Sequence, residues 1–249
     1  MNLVEDNVIL LAGATGRVGG ATLATLVKEG ARVAVVSRDS ERARATIAAV
    51  LDPQQQDRAL AIRADLNDAA SAAAAVTACV QAFGRIDALV NLAGSGGGRI
   101  PLADSTLDDV RFALAAFTET AYNLALPALR AMLAQPFRDG ARSRGRIVTV
   151  TAGSSKAPAP GRGAFATAKA GVNALMLAIA REHKADGIVA NALVLGGVGF
   201  DGAEKFYSKE DFAAAASPQE VADTLTFLAS DRASGINGAL VDLNAREID

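Results

Sequence analysis

The chain has 249 residues, 51% hydrophobic and 21% charged, with a formal net charge of −2. That suits one large α/β domain over residues 1–249 and supplies no basic field for nucleic acid. A single cysteine, Cys79, and a single histidine, His183, exclude an internal disulfide and a Cys/His metal cage, so no metal site is expected. The stretch Met1–Asp6 carries two acids and no base, and the apolar run after it is strand-sized. No targeting segment or membrane span is expected, and the expected location is the cytoplasm.

Short apolar runs alternate with longer helical patterns along the chain. Val8–Ala12, Arg32–Val36, Leu60–Arg63, Ala88–Asn91, Arg146–Thr151, Ile188–Val194 and Ala239–Leu243 read as strands. Most lack polar alternation, as expected of parallel strands buried on both faces. Gly19–Glu29, Ser40–Leu51, Ala69–Phe83, Thr106–Leu133 and Gly163–His183 read as helices. The alternation predicts a three-layer α/β fold of the Rossmann type, with a doubly wound, parallel, seven-stranded sheet. Gly94–Gly98 reads as a mobile loop, and Pro136–Gly145, with Arg138, Arg142 and Arg144, as a solvated surface loop.

The first strand runs straight into Gly-Ala-Thr-Gly-Arg-Val-Gly, Gly13–Gly19, and then into a helix. Gly13 makes the tight turn, Gly16 lets the backbone approach a pyrophosphate, and Gly19 lets helix and strand pack closely. The helix start offers unpaired N–H groups and a positive dipole end to phosphates. Gly13, Thr15, Gly16, Arg17, Val18 and Gly19 are therefore candidate phosphate-binding residues. The second strand ends in Ser37-Arg38, a hydroxyl and a cation where an acid would serve NAD(H). This favours NADP(H) over NAD(H), although Arg38 could instead pair with Asp39.

Further motifs lie in order: Asp65-Leu66 after the third strand, Asn91-Leu92-Ala93-Gly94 after the fourth, and Gly145–Gly153 at the fifth. Phe165-Ala-Thr-Ala-Lys169 and Asn191–Gly196 follow. With these, the chain resembles the short-chain dehydrogenase/reductase family over nearly its whole length. Its phosphate-loop spacing looks more like the family's extended and atypical branches. The resemblance implies an adenine cradle at Asp65 and Leu66, and nicotinamide-side contacts from Asn91, Ala93, Gly94 and Lys169. It also implies hydride transfer between the nicotinamide and a carbonyl or alcohol, with Tyr, Lys, Ser and Asn serving the chemistry. Of these four, Lys169 is retained. Phe165 stands at the Tyr position, Ala152 at the Ser position, and the Asn position falls at about Leu114. With Leu92 and Leu195 also departing from the pattern, the substitutions read as natural divergence.

Substitute hydroxyls are conceivable at Thr151, Ser154 and Ser155, which could equally cap the loop after the fifth strand. Tyr207 could donate a proton from the segment Gly196–Asp211 or simply pack there, and Tyr122 reads as a packing residue. His183 reads as a surface helix terminus and Cys79 as a core residue. The leading expectation is an NADP(H)-binding relative of this family with impaired turnover. The alternative is a catalytically silent regulatory or partner subunit, and a third is non-redox chemistry in an apolar pocket lined by Phe165, Ala152 and Leu114. The expected partners are a small, apolar ligand and further copies of the chain. The resemblance implies a homodimer or homotetramer through Thr106–Leu133, Gly163–His183 and the C-terminal strand, and both helices have apolar residues over much of their circumference.

Overall fold

Seven parallel strands form one sheet in the order β3-β2-β1-β4-β5-β6-β7. They are β1 (Val8–Ala12), β2 (Arg32–Ser37), β3 (Ala59–Arg63), β4 (Ala88–Asn91), β5 (Gly145–Ala152), β6 (Ile188–Leu195) and β7 (Leu240–Leu243). The computed structural model describes residues 2–94, 98–199 and 215–243. Tyr207 and residues 200–211 of the segment that carries it therefore lie outside the described residues, as do Ser95–Gly97 of the glycine-rich loop.

Alternate side chains on each strand point to opposite faces, which divides the core in two. Val8, Leu10 and Ala12 of β1 meet α3 (Ala69–Phe83), α5 (Thr120–Ala134) and α6 (Gly163–Glu182). Ile9 and Leu11 meet α1 (Arg17–Lys28), α2 (Ser40–Val50) and α7 (Pro218–Leu228). The central strands are buried on both faces, so they read as continuous apolar runs. β1 lies between β2 and β4, where the winding direction reverses; this is the switch point at which such sheets open a crevice.

Two helical features depart from the sequence reading. The first is α7, which no expected element covers. Its start is a capping box: Ser217 Oγ accepts from the Glu220 N–H at 3.2 Å, and Glu220 Oε2 accepts from the Ser217 N–H at 2.7 Å. The second is the stretch read as one helix, Thr106–Leu133. It is α4 (Leu107–Ala113), a wider π-helical turn over Leu114–Glu119, and then α5. One threonine satisfies carbonyls that such a turn loosens, and another ties the turn to α6. Thr120 Oγ1 donates toward the carbonyls of Ala116 and Phe117 at 3.1 Å each, and Thr118 Oγ1 donates to the Ala168 carbonyl of α6 at 2.8 Å.

The arginine-bearing loop after α5 is more closely held than a solvated loop would be. Arg138 bonds the Asn7 side chain and lies 3.7 Å from the buried Asp87 carboxylate. Arg144 donates to the Leu133 carbonyl at 2.8 Å and stacks 4.9 Å over the Phe137 ring. Tyr122 is exposed on α5 rather than packed. Cys79 is buried in α3, as expected, and burial pushes its thiol up to about 12. His183 closes α6 and meets Asp186 at 2.9 Å. Among the described residues, α6 is the one helix with the length and hydropathy of a membrane span, and its inner face is packed on β5 and β6.

Candidate functional site

The turn between β1 and α1 depends on two glycines for its shape. Gly13 has φ +85°, and a Cβ there would stand 2.7 Å from the Leu92 backbone at the exit of β4. A Cβ on Gly19 would fall 2.1 Å from the Gly13 carbonyl oxygen. Gly16 is different: a Cβ there would meet the Gly13 oxygen at an ordinary 3.5 Å. The protein itself gives no reason for glycine at Gly16, so its bareness keeps backbone open to the cleft.

The start of α1, like that of α6, lacks a side-chain cap. Side chains of Asp39, Asp68, Thr106 and Ser217 cap α2, α3, α4 and α7. α1 begins at Gly16 without a side-chain cap and has no acid in its first turn. With no side-chain cap and no acid there, the dipole of this first turn favours an anion.

A cleft of about 450 Å³ opens above this turn. Gly13, Thr15 and Gly16 form its floor, Ser37, Arg38 and Arg42 one wall, and Asp65 and Leu66 another. Ala93 and Gly94 line the side toward β4. Thus nine of the sequence candidates line one cleft, with Arg42, Asn67, Phe112, Ala116 and Thr120 added by the structure. Arg42 could have been found from its spacing, four residues beyond Arg38 in the first turn of α2. Asp39 spends its carboxylate on capping, accepting from the Arg42 N–H at 3.0 Å. Among the described residues, Arg38 makes no ion pair, so the Arg38–Asp39 pairing does not occur, and Arg38 lies exposed at the mouth.

Arg17, Val18, Gly19, Asn91 and Lys169, also expected to touch a cofactor, do not line this cleft. Gly19 packs the turn, and the Val18 carbonyl accepts from Thr22 Oγ1 at 2.8 Å. Arg17 opens α1. Asn91 is buried and uses its Oδ1 to accept from the Ala93 N–H at 2.9 Å, which shapes the exit of β4.

Lys169 lies deeper. Its Nζ donates to the Val150 carbonyl of β5 at 3.0 Å and sits 4.6 Å over the Phe117 ring. No carboxylate pairs with it among the described residues, and burial lowers its ammonium to about 8. The residue of the long helix that reaches Lys169 is Phe117, three positions beyond Leu114. Leu114 instead packs at the edge of the small cluster built on Ala113, Phe117 and Ala168. Phe117 and Phe165 meet edge to face with centroids 5.2 Å apart. Nothing in the sequence marked Phe117, because this helix has apolar residues around much of its circumference.

Phe165 also lines a second pocket of about 190 Å³, with Ile100, Leu102, Phe112 and Ala164 as its apolar wall and Ser105 and Asp109 at its rim. Phe112 belongs to both cavities. Ala152 and Leu114, expected beside Phe165, do not line this pocket. Of the candidate substitute hydroxyls, Thr151 is buried, and Ser155 Oγ accepts from Asn173 Nδ2 at 2.8 Å, which ties α6 to the turn after β5. Ser154 is half-buried in that same turn and lines neither cavity.

A glycine-floored cleft at the switch point of a parallel sheet is a nucleotide-binding geometry, and residues 7–211 match the short chain dehydrogenase family. The chain belongs to this family. Its members are oxidoreductases that bind a nicotinamide cofactor. Among its relatives, an A-factor type gamma-butyrolactone 1′-reductase of Streptomyces virginiae is 29% identical over 95% of this chain and 93% of its own. An NADPH-dependent aldehyde reductase-like chloroplastic protein of Arabidopsis thaliana is 26% identical over 97% and 94%. The crystal structure of levodione reductase superposes with a TM-score of 0.85 at 26% identity, covering 97% of each chain.

The residues present fit one half of the family's cofactor. Bare backbone at Gly16 and the uncapped start of α1 suit the phosphates, and Ser37, Arg38 and Arg42 suit the adenosine side. Around Lys169 the space is filled by side chain.

Proposed function

We propose that this member of the short-chain dehydrogenase family binds NADP(H) in preference to NAD(H) and acts on a small, apolar carbonyl or alcohol at a strongly reduced rate. The single observation that carries the preference is the cationic wall at the cleft mouth, where neither the Arg38 nor the Arg42 guanidinium pairs with Asp39, whose carboxylate caps α2 through the Arg42 backbone N–H. A 2′-phosphate there gains charge-assisted hydrogen bonds that a bare ribose cannot make. The NADPH dependence named for the Arabidopsis relative is consistent with this.

When bound, the nicotinamide supplies or accepts the hydride. The chain's own part is to hold the phosphates on the α1 amides and to shape an apolar approach past Phe165. On the resemblance, Phe165 and Ala152 stand where the family has Tyr and Ser. A positioned general acid contributes ~10²–10⁴ in rate. One donor to a developing oxyanion contributes ~10²–10³. Acting as a unit, their joint absence lowers turnover by about 10⁴. Neither hydroxyl is needed for the phosphates to bind.

The second reading is a catalytically silent NADP(H)-binding regulatory or partner subunit. It is favoured by the Val150 carbonyl and the Phe117 ring, which hold Lys169 inward. The apolar residues exposed along α4 and α5, among them Leu107, Phe112 and Tyr122, support assembly into a homodimer or homotetramer. A monomer by light scattering at micromolar concentration would contradict that assembly. A cytoplasmic location fits the single buried cysteine.

The test of the cofactor reading is a titration with NADPH and with NADH, followed by nicotinamide fluorescence; the chain contains no Trp. NADPH is expected to bind at least about tenfold more tightly. Equal affinities would remove the NADP(H) preference, and no binding of either would remove the cofactor reading.

A further inference from the structure

We infer that Phe117 closes the reactive half of the cleft, so that the site holds the adenosine-phosphate half of NADP(H) and gives the nicotinamide half little grip. This rests on the NADP(H) reading above and names which half of the ligand carries the affinity.

The ring of Phe117 is 5% exposed and fills the space among three groups. On one side is Gly94, the last described residue lining the cleft on the β4 side; a Cβ there would stand 2.5 Å from Phe117 Cδ1. On another is the Phe165 ring, edge to face at 5.2 Å. Over its face lies the Lys169 ammonium at 4.6 Å, whose hydrogen bond goes to the Val150 carbonyl. For Lys169 to reach a ribose hydroxyl in the cleft, it must leave both partners and the ring must turn aside.

The backbone makes such a turn difficult. Phe117 sits in the π-helical turn between α4 and α5, which Thr118 Oγ1 pins to the Ala168 carbonyl of α6. Gly171 of α6 lets that turn approach: a Cβ there would stand 3.1 Å from Thr118 Cγ2. The phosphate end needs none of these groups to move. Its floor is bare backbone, its helix start is uncapped, and its cations already line the opening.

The experiment is calorimetric titration of the intact protein with NADP+ and with 2′-phospho-ADP-ribose, which is the same molecule without its nicotinamide. The two dissociation constants are expected to agree within about threefold. In Phe117→Ala, NADP+ is expected to tighten by about tenfold while the fragment changes by less than about threefold. Phe117→Leu, which keeps most of the apolar volume, should move in the same direction and serves if the alanine variant does not fold. The inference is overturned if the unaltered protein binds NADP+ more than about tenfold tighter than the fragment. It is equally overturned if the Phe117 variants change both ligands alike. If neither ligand binds, the NADP(H) reading itself fails, an outcome distinct from unequal binding.

Discussion

The two ends of the cleft are built from different materials. At the phosphate end the contact surface is main chain: Gly13, Gly16 and the first amides of α1, framed by Arg38 and Arg42. At the other end it is side chain: Phe112, Ala116 and Thr120 line it, and beyond Gly94 the Phe117 and Phe165 rings and Lys169 pack against one another. A backbone cradle persists as long as its glycines do, whatever happens to nearby side chains. A site made of side-chain hydroxyls disappears with single substitutions, and an aromatic ring can then fill the space. The contrast separates what a single side-chain substitution can remove from what it leaves in place.

The largest expected effect separates two glycines within the cradle. Gly19→Ala places a Cβ 2.1 Å from the Gly13 carbonyl oxygen. It should cost about 3–5 kcal/mol of stability and lower the thermal midpoint by roughly 10 °C. Gly16→Ala meets only an ordinary contact and should cost less than about 1 kcal/mol, yet weaken NADPH by about tenfold, because its methyl occupies phosphate space. Thermal melts with cofactor titration check both, and similar melting of the two variants would break the distinction.

Next is the cationic wall. Arg38→Ala should weaken NADPH by about 10–100-fold, the worth of one to two charge-assisted hydrogen bonds, and leave NADH within about twofold. The discrimination should narrow as salt rises, since Arg38 is exposed. An equal loss for both cofactors would assign Arg38 a structural role.

Lys169 tests the closed end through stability. Burial lowers its folded-state pKa from the ordinary 10.5 to about 8. Between those values the unfolded chain holds the proton and the folded protein does not, so rising pH favours the folded state across that window. Below it both states are charged, and the cost of burying the ammonium is present in full. Lys169→Met should therefore raise the thermal midpoint at neutral pH by roughly 2–5 °C. It should also lack the stability increment that the unaltered protein gains from about pH 8 upward. A lower midpoint in Lys169→Met would show that the ammonium is well compensated where it lies. The smallest effect expected is for Thr118→Val, about 1 kcal/mol from the lost hydrogen bond to Ala168, read by urea denaturation.

Much of the fold was legible because its signals are local. Buried parallel strands must be continuous apolar runs, and Gly19 is demanded by the Gly13 carbonyl a few residues away. The cleft was legible for the same reason, since Ser37, Arg38, Asp65 and Leu66 sit at strand ends whose order follows from the βαβ winding. What stayed hidden depends on helix rotation and tertiary contact. No residue in the apolar stretch Leu114–Glu119 marks either its π-helical turn or the ring of Phe117 that meets Lys169. The inward course of Lys169 depends on Val150 and Phe117, neither near it in sequence. α7 was different: Ser217-Pro218-Gln219-Glu220 is a readable capping box that the sequence reading passed over.

The contrast between the two ends is tested most directly by amide hydrogen exchange with and without saturating NADP+. The account predicts slowed exchange at residues 13–19 and 36–42, with none at residues 114–120 or in α6 around Lys169. Protection that extends into 114–120 and the Phe165–Lys169 turn of α6 would contradict it, because the nicotinamide half would then be held.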